Sequence, residues 1–232
     1  MSEAATTDLG FDPAVLKAKY RAERDKRLRQ DGNEQYVEIA GQYAHYLEDP
    51  YIARVERAPM FDAVEVVVVG GGFGGLLAGA RLKQAGIEDV RIIEKGGDFG
   101  GTWYWNRYPG AGSDSESWVY SYTFSPELEQ EWTWSSRFPP QSEILRYLEH
   151  VAERFDLKRS FEFNTAVNGA TYDENSNRWM VKTDKGDTVH ATYLVTAVGC
   201  LSAAAVPNIA GRDDFKGAWY HTGQWPHEGI DF

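Results

Sequence analysis

The chain has 232 residues, 42% of them hydrophobic and 25% charged, an ordinary globular composition long enough for one sizeable domain or two small ones. Its formal net charge of −11, with no long basic run, excludes an electrostatic drive towards nucleic acid or an anionic membrane surface. A single cysteine, Cys200, excludes an intrachain disulfide and a CxxC pair, and the five histidines lack metal-ligand spacing, so no metal site is expected.

In chain order, Asp12-Pro13 is a helix start, with a capping side chain and proline at the first helical position. A charged helix is expected from Pro13 to about Gln30, with Lys17–Arg29 as its solvated face and Asp31-Gly32 as its end. A second helix is expected over Glu34–Leu47, where Tyr36, Ile39, Ala40, Tyr43 and Leu47 fall on one stripe interrupted by Gly41. The start MSEAATTDLGFDP reads as no signal peptide, and no apolar run reaches about 18 residues, so a cytoplasmic protein is expected.

Val64–Val69 is a nearly continuous apolar run, as expected for a parallel strand buried on both faces. A glycine-rich turn, a helix over Leu76–Ala85 and a strand over Val90–Ile93 complete a β-α-β unit. The stretch Gly100–Asp114, GGTWYWNRYPGAGSD, has neither helical period nor strict alternation and reads as a loop. Beyond it, a helix capped by Ser142 carries Ile144, Leu145, Leu148, Val151, Ala152 and Phe155 on one face. Short strands follow at Thr165–Tyr172, Arg178–Thr183 and Thr188–Ala191, with turns at Asn175–Asn177 and Lys185–Asp187. Tyr193–Val198 is a further apolar run that returns to the main sheet, and Cys200 after it is expected to be a small buried apolar residue.

Gly70-x-Gly72-x-x-Gly75 lies between strand and helix. The first glycine permits the turn, the second lets a pyrophosphate approach the backbone, and the third lets helix and strand pack closely. Glu94, at the end of the second strand, stands near the spacing of a ribose-binding acid. This unit predicts a dinucleotide and does not choose between NAD and FAD. The aromatic loop is either a wall for a flat ring, with Trp103 and Trp105 as faces, or an aromatic structural corner.

Gly100, Gly101, Trp103, Tyr108, Pro109, Gly110 and Asp114 stand at the spacing of a motif of the Baeyer–Villiger monooxygenases, and Phe215, Gly217, His221, Trp225 and Pro226 at that of a second. From Val64 onward the chain resembles that family. The resemblance implies an α/β fold: a Rossmann-like FAD-binding domain with a parallel sheet and a small antiparallel meander, preceded by a helical N-terminal extension. The expected domains are an extension over 1–60, an incomplete FAD-binding domain over 61–211, and a linker over 212–232 leading to an NADPH-binding unit outside this chain.

The resemblance further implies FAD contacts from Gly70, Gly72, Phe73, Gly74, Gly75, Glu94, Gly101, Thr102, Trp103, Trp105, Asp114, Tyr120 and Val167. Gly112, Ser113 and Asp114 would lie near NADPH, and Asp114 would orient a catalytic arginine of the part beyond. His221 would couple movement of the two nucleotide domains. The implied reaction takes a small-molecule ketone and dioxygen to an ester or lactone. A fragment that holds FAD without turnover is one alternative; an N-hydroxylating flavin monooxygenase is another, against which the Phe215–Pro226 motif argues. Asn208-Ile209-Ala210-Gly211 departs from the family, which has proline before that glycine. Without a completing segment, apolar surface is expected to stand open along Val64–Val69, Ile144–Phe155 and the aromatic loop.

Overall fold

In the computed structural model, which describes residues 10–28, 30–37, 44–45, 47–226 and 228–231, helix α1 spans Pro13–Asp25, and the Asp12 side chain accepts the Ala14 N–H at 2.7 Å. None of its residues is buried, in keeping with a solvated charged face. The helix stops short of Gln30 because the Arg27 N–H turns back to the Arg24 carbonyl, a tighter i to i+3 bond that closes the last turn. Gly32, at φ +49°, then redirects the chain into a 3₁₀ turn over Gly32–Gln35. Strand β1, Tyr36–Val37, follows where a helix was expected; Ile39, Ala40, Gly41 and Tyr43 of that expected helix lie outside the described residues. By contact density the chain forms two units: Met1–Glu38 with Ala205–Phe215, and Ile39–Ala204 with Lys216–Phe232.

The second unit carries the β-α-β fold. Strand β2 (Phe61–Val69) leads through the glycine turn to α2 (Phe73–Gln84), which begins three residues earlier than expected, and then to β3 (Val90–Ile93). Inside the aromatic segment lies one helical turn, α3 (Thr102–Trp105), entered through Gly101 at φ +55°. That positive φ lets the chain reverse into a helix, which the residue pattern alone did not reveal. Helices α4 (Pro126–Glu131) and α5 (Gln141–Arg154) follow. Ser142 does not cap α5: Pro140 takes the cap position in extended conformation, and Ser142 falls inside the first turn.

Strands β4 (Phe161–Glu162), β5 (Val167–Asp173), β6 (Arg178–Thr183) and β7 (Thr188–Thr196) complete one mixed sheet of order β4-β3-β2-β7-β6-β5. The two runs expected at Thr188–Ala191 and Tyr193–Val198 are thus one strand. Its early residues pair antiparallel with β6, while its whole length runs parallel to β2, from Phe61↔Thr188 to Val69↔Thr196. The meander is an extension of the parallel sheet. Strand β8 (Val206–Pro207) belongs to the first unit, where it pairs antiparallel with β1.

Both faces of β2 are covered. Val66, Val68 and Ile92 pack with residues of α2, and Val67 and Ile93 pack with Val181, Val189 and Ala191. The largest cluster joins α2 and α5 through Leu76, Ala80, Ile144, Leu148, Val151 and Leu157, with Phe99, Trp103 and Tyr122. The surfaces expected to stand open at Val64–Val69 and on the Ile144 face of α5 are therefore buried; the exposed large apolar residues of this unit include Trp118, Val119, Tyr193 and Leu201. Cys200 is exposed, because β7 has ended and Gly199, at φ +67°, turns the chain off the sheet.

Candidate cofactor site

Strands β2, β3 and β7 run in parallel and end together at Val69, Ile93 and Thr196. After β2 the chain adds β3 on one side and β7 on the other, so the crevice beyond their carboxyl ends is a topological switch point, where α/β sheets bind ligands. A cavity of about 370 Å³ lies there, within the usual range for small-molecule sites.

Its floor is glycine backbone. Gly70 takes φ +103°, and a Cβ there would stand 2.5 Å from the Ala197 carbonyl oxygen. A Cβ on Gly75 would overlap the Gly70 carbonyl oxygen, and one on Gly101 would come within 2.8 Å of Gly72 Cα. The N-terminus of α2, with Gly72 at its cap and no side chain satisfying its amides, opens here. Free amides at a helix N-terminus favour a phosphate.

Glu94 lines this cavity and is only 5% exposed. Its Oε2 accepts the Gly71 N–H at 2.6 Å and its Oε1 the Gly96 N–H at 2.8 Å. Burial pushes the carboxyl upward, while those two amides and the neighbouring Lys95 ammonium pull it back. Each oxygen keeps acceptor capacity for a further donor, since a carboxylate offers about four lone-pair sites.

The aromatic wall comes from α3 and the segment after it. Thr102, Trp103, Trp105 and Tyr120 line the cavity with Gly101 and Phe73. The Trp103 indole N–H donates to the Tyr120 hydroxyl at 3.1 Å, and the two rings meet edge to face. Gly74 and Val167 also line it. Gly75 lies beneath, holding α2 close to the turn.

Asp114 is not among these residues. It is exposed and lines a separate, open cavity of about 530 Å³ with Gly112, Ser113, Tyr108, Pro140 and Gln141. The three residues expected near NADPH are thus together, but Asp114 does not reach the glycine-floored cavity. His221 lies elsewhere and accepts the Gly223 N–H on Nδ1, capping a 3₁₀ turn over Thr222–Gln224.

The sequence reading missed Lys95, Thr165, Ala166 and the run Ala197–Gly199 with Leu201 and Ser202, all of which line the first cavity. Burial lowers the Lys95 pKa, its ammonium donates to the Ser202 carbonyl, and it lies 5.1 Å from the Trp105 ring centroid. The signal for these residues was their place just past β3, β4 and β7, at the carboxyl ends of parallel strands. Among the described residues no cluster of His, Cys, Asp or Glu could hold a metal, and no helix is long and apolar enough to cross a membrane.

Residues 67–229 match the family described as pyridine nucleotide-disulphide oxidoreductase. The chain belongs to that family. Its single cysteine leaves it no dithiol of its own. A Baeyer–Villiger monooxygenase of Streptomyces coelicolor is 45% identical over 220 residues, 92% of this chain and 35% of that protein. Among solved structures, an oxidised steroid monooxygenase bound to NADP is 54% identical with a TM-score of 0.68, over 73% of this chain and 32% of that one. Cyclohexanone monooxygenase from Rhodococcus sp. Phi1, bound to NADP+, is 46% identical with a TM-score of 0.68, over 75% and 32%. The chain spans about a third of the length of these relatives, and within the oxidoreductase family its likeness is to Baeyer–Villiger monooxygenases, as the two motifs imply.

Proposed function

We propose that this chain supplies the FAD-binding part of a Baeyer–Villiger monooxygenase that uses FAD and NADPH to convert a small-molecule ketone and dioxygen into an ester or lactone in the cytoplasm. The observation that carries the reading is the glycine-floored crevice at the ends of β2, β3 and β7, with the buried Glu94 carboxylate on one side and α3 on another.

The residues fit FAD. The turn Gly70–Gly75 and the amides at the start of α2 would hold the diphosphate, and Glu94 the ribose hydroxyls. Thr102, Trp103, Trp105 and Tyr120 would border the ring system, and Val167 the adenine. Once reduced by NADPH, FAD supplies the activation of dioxygen from which one oxygen atom is inserted beside the ketone carbonyl. The protein's part is to orient and to exclude water: Trp103 and Tyr120 close the wall with a mutual hydrogen bond, and the apolar rim lowers the local dielectric.

Gly112, Ser113 and Asp114 would face the nicotinamide nucleotide from their own cavity, with Asp114 orienting the catalytic arginine of the part beyond. His221 would couple the movement of the nucleotide domains. Residues 61–211 would form the FAD domain, 1–60 its extension and 212–232 the linker. The test is to add FAD to the purified chain and follow flavin absorbance and fluorescence. Saturable binding with an altered flavin spectrum is expected. An unchanged flavin spectrum in the equilibrium titration, at FAD concentrations far above those that saturate a full-length relative, would end the reading.

A further inference from the structure

The segment leading into β2 grips both walls of the cavity from outside. Asp49 Oδ1 accepts the N–H groups of Tyr51 at 2.8 Å and Ile52 at 3.2 Å, folding the segment into a turn. Its Oδ2 accepts the Gly97 N–H at 2.6 Å and the Tyr104 hydroxyl at 2.6 Å. Gly97 follows Gly96, whose amide holds Glu94, and Tyr104 sits within α3. One carboxylate oxygen thus joins the ribose-acid turn to the aromatic wall, while Asp49 itself does not line the cavity.

Neighbouring contacts reinforce this grip. The Tyr51 hydroxyl donates to the Trp105 carbonyl at 3.0 Å. The Arg107 guanidinium lies 3.9 Å from the Tyr51 ring centroid and 4.8 Å from that of Tyr104. A Cβ on Gly97 would overlap Ile52, so only glycine admits this approach. On the other side the Gln224 amide donates to the carbonyls of His45 at 3.1 Å and Glu48 at 3.0 Å, tying the strap to the second motif.

We infer that Asp49 is a positioning residue of the cofactor site, setting the Gly96–Gly97 turn and α3 at the spacing FAD requires. The inference rests on the reading of the cavity as an FAD site. Burial and the Asp49 carboxylate both push the Tyr104 hydroxyl upward.

The test uses the full 232-residue chain with Asp49→Asn, Tyr104→Phe and the double variant, titrated separately with FAD and with ADP, well below each variant's melting temperature. Tyr104→Phe loosens only the α3 side and is expected to weaken FAD about fivefold while leaving ADP within about twofold. Asp49→Asn disturbs both sides and weakens both ligands. The double variant is no weaker than Asp49→Asn alone, because the two share one link. Wild-type affinity for FAD in both single variants overturns the inference, as does an equal loss of FAD and ADP in Tyr104→Phe, the mark of general destabilisation. Failure of the wild-type chain to bind FAD sinks the FAD reading itself, and the inference with it, and is told apart by its appearance before any substitution.

Discussion

Glu94 holds two backbone amides with the carboxylate that faces the cavity. Glu94→Ala removes an acceptor from buried N–H groups and from the proposed ribose contact together. FAD affinity is expected to fall about tenfold or more, since hydrogen bonds to a charged group contribute roughly 1.5–3 kcal/mol. Titration of the chain with FAD checks this, and an unchanged dissociation constant removes Glu94 from the site. Asp114 is expected to behave oppositely. It is exposed in a separate cavity, so Asp114→Ala in this chain should leave FAD affinity within about twofold, the size of an ordinary surface substitution. A large loss of FAD would place Asp114 in the FAD site, as the motif reading had it. At this scale the placement of single residues was legible where a motif set a spacing: Gly70, Gly72 and Glu94 line one cavity. Lys95 and Ser202 were not, because they meet only once β3 and β7 end on either side of β2.

Among elements, the β-α-β unit was legible because its signals agree: a buried valine run, a glycine turn, and a helix followed by a second apolar strand. The length of β7 was not, since Thr188–Thr196 alternates near one end and is apolar near the other, answering to β6 in one half and to β2 along the whole. A single strand with two kinds of neighbour carries two patterns. The α3 turn was hidden for a different reason: four residues are too few for a helical period, and its entry depends on the backbone of Gly101. The closest helix–turn contact in the site is at Gly75, where a Cβ would overlap the Gly70 carbonyl oxygen. Gly75→Ala must push α2 away from the turn, and overpacking of this kind costs about 2–3 kcal/mol. Chemical denaturation is expected to show that loss, with weaker FAD binding alongside it. Wild-type stability and affinity in Gly75→Ala would mean that α2 can shift freely, and that the third glycine does not set the helix–strand distance.

Across the mixed sheet, one ion-pair network joins the entry of β2 to the turn before β7 and to β4. The Asp187 carboxylate, 1% exposed, accepts from Arg57 Nη1 at 2.6 Å and Nη2 at 2.8 Å, from the Met60 N–H at 2.8 Å and from the Thr183 hydroxyl at 2.7 Å. Arg57 Nε also reaches Glu162 of β4 at 2.7 Å. The Arg57 bonds above all, with those from Thr183 and Met60, hold the Asp187 carboxyl far below the usual carboxylate range against the opposing effect of burial. A depressed folded pKa gives a defined sign. The stabilisation is present in full above the unfolded pKa, near 3.9, and is lost as pH falls below it towards the folded value. The chain should therefore lose stability steeply below about pH 4. Asp187→Asn should cost about 2–3 kcal/mol at neutral pH; a wholly buried pair would lose more, but the Arg57 side chain stays 23% exposed and partly hydrated. The exposed Lys83–Asp156 pair is the contrast, with Asp156 at 63% exposure, and Asp156→Asn should leave the denaturation midpoint unmoved. The measurement is urea denaturation of wild type and both variants from neutral pH down to about pH 3. Asp187→Asn should start less stable and then lose less with acid, so that the two curves converge. Parallel curves at every pH would show that Asp187 does not carry the acid response, and that the acid sensitivity of the sheet lies in other carboxylates.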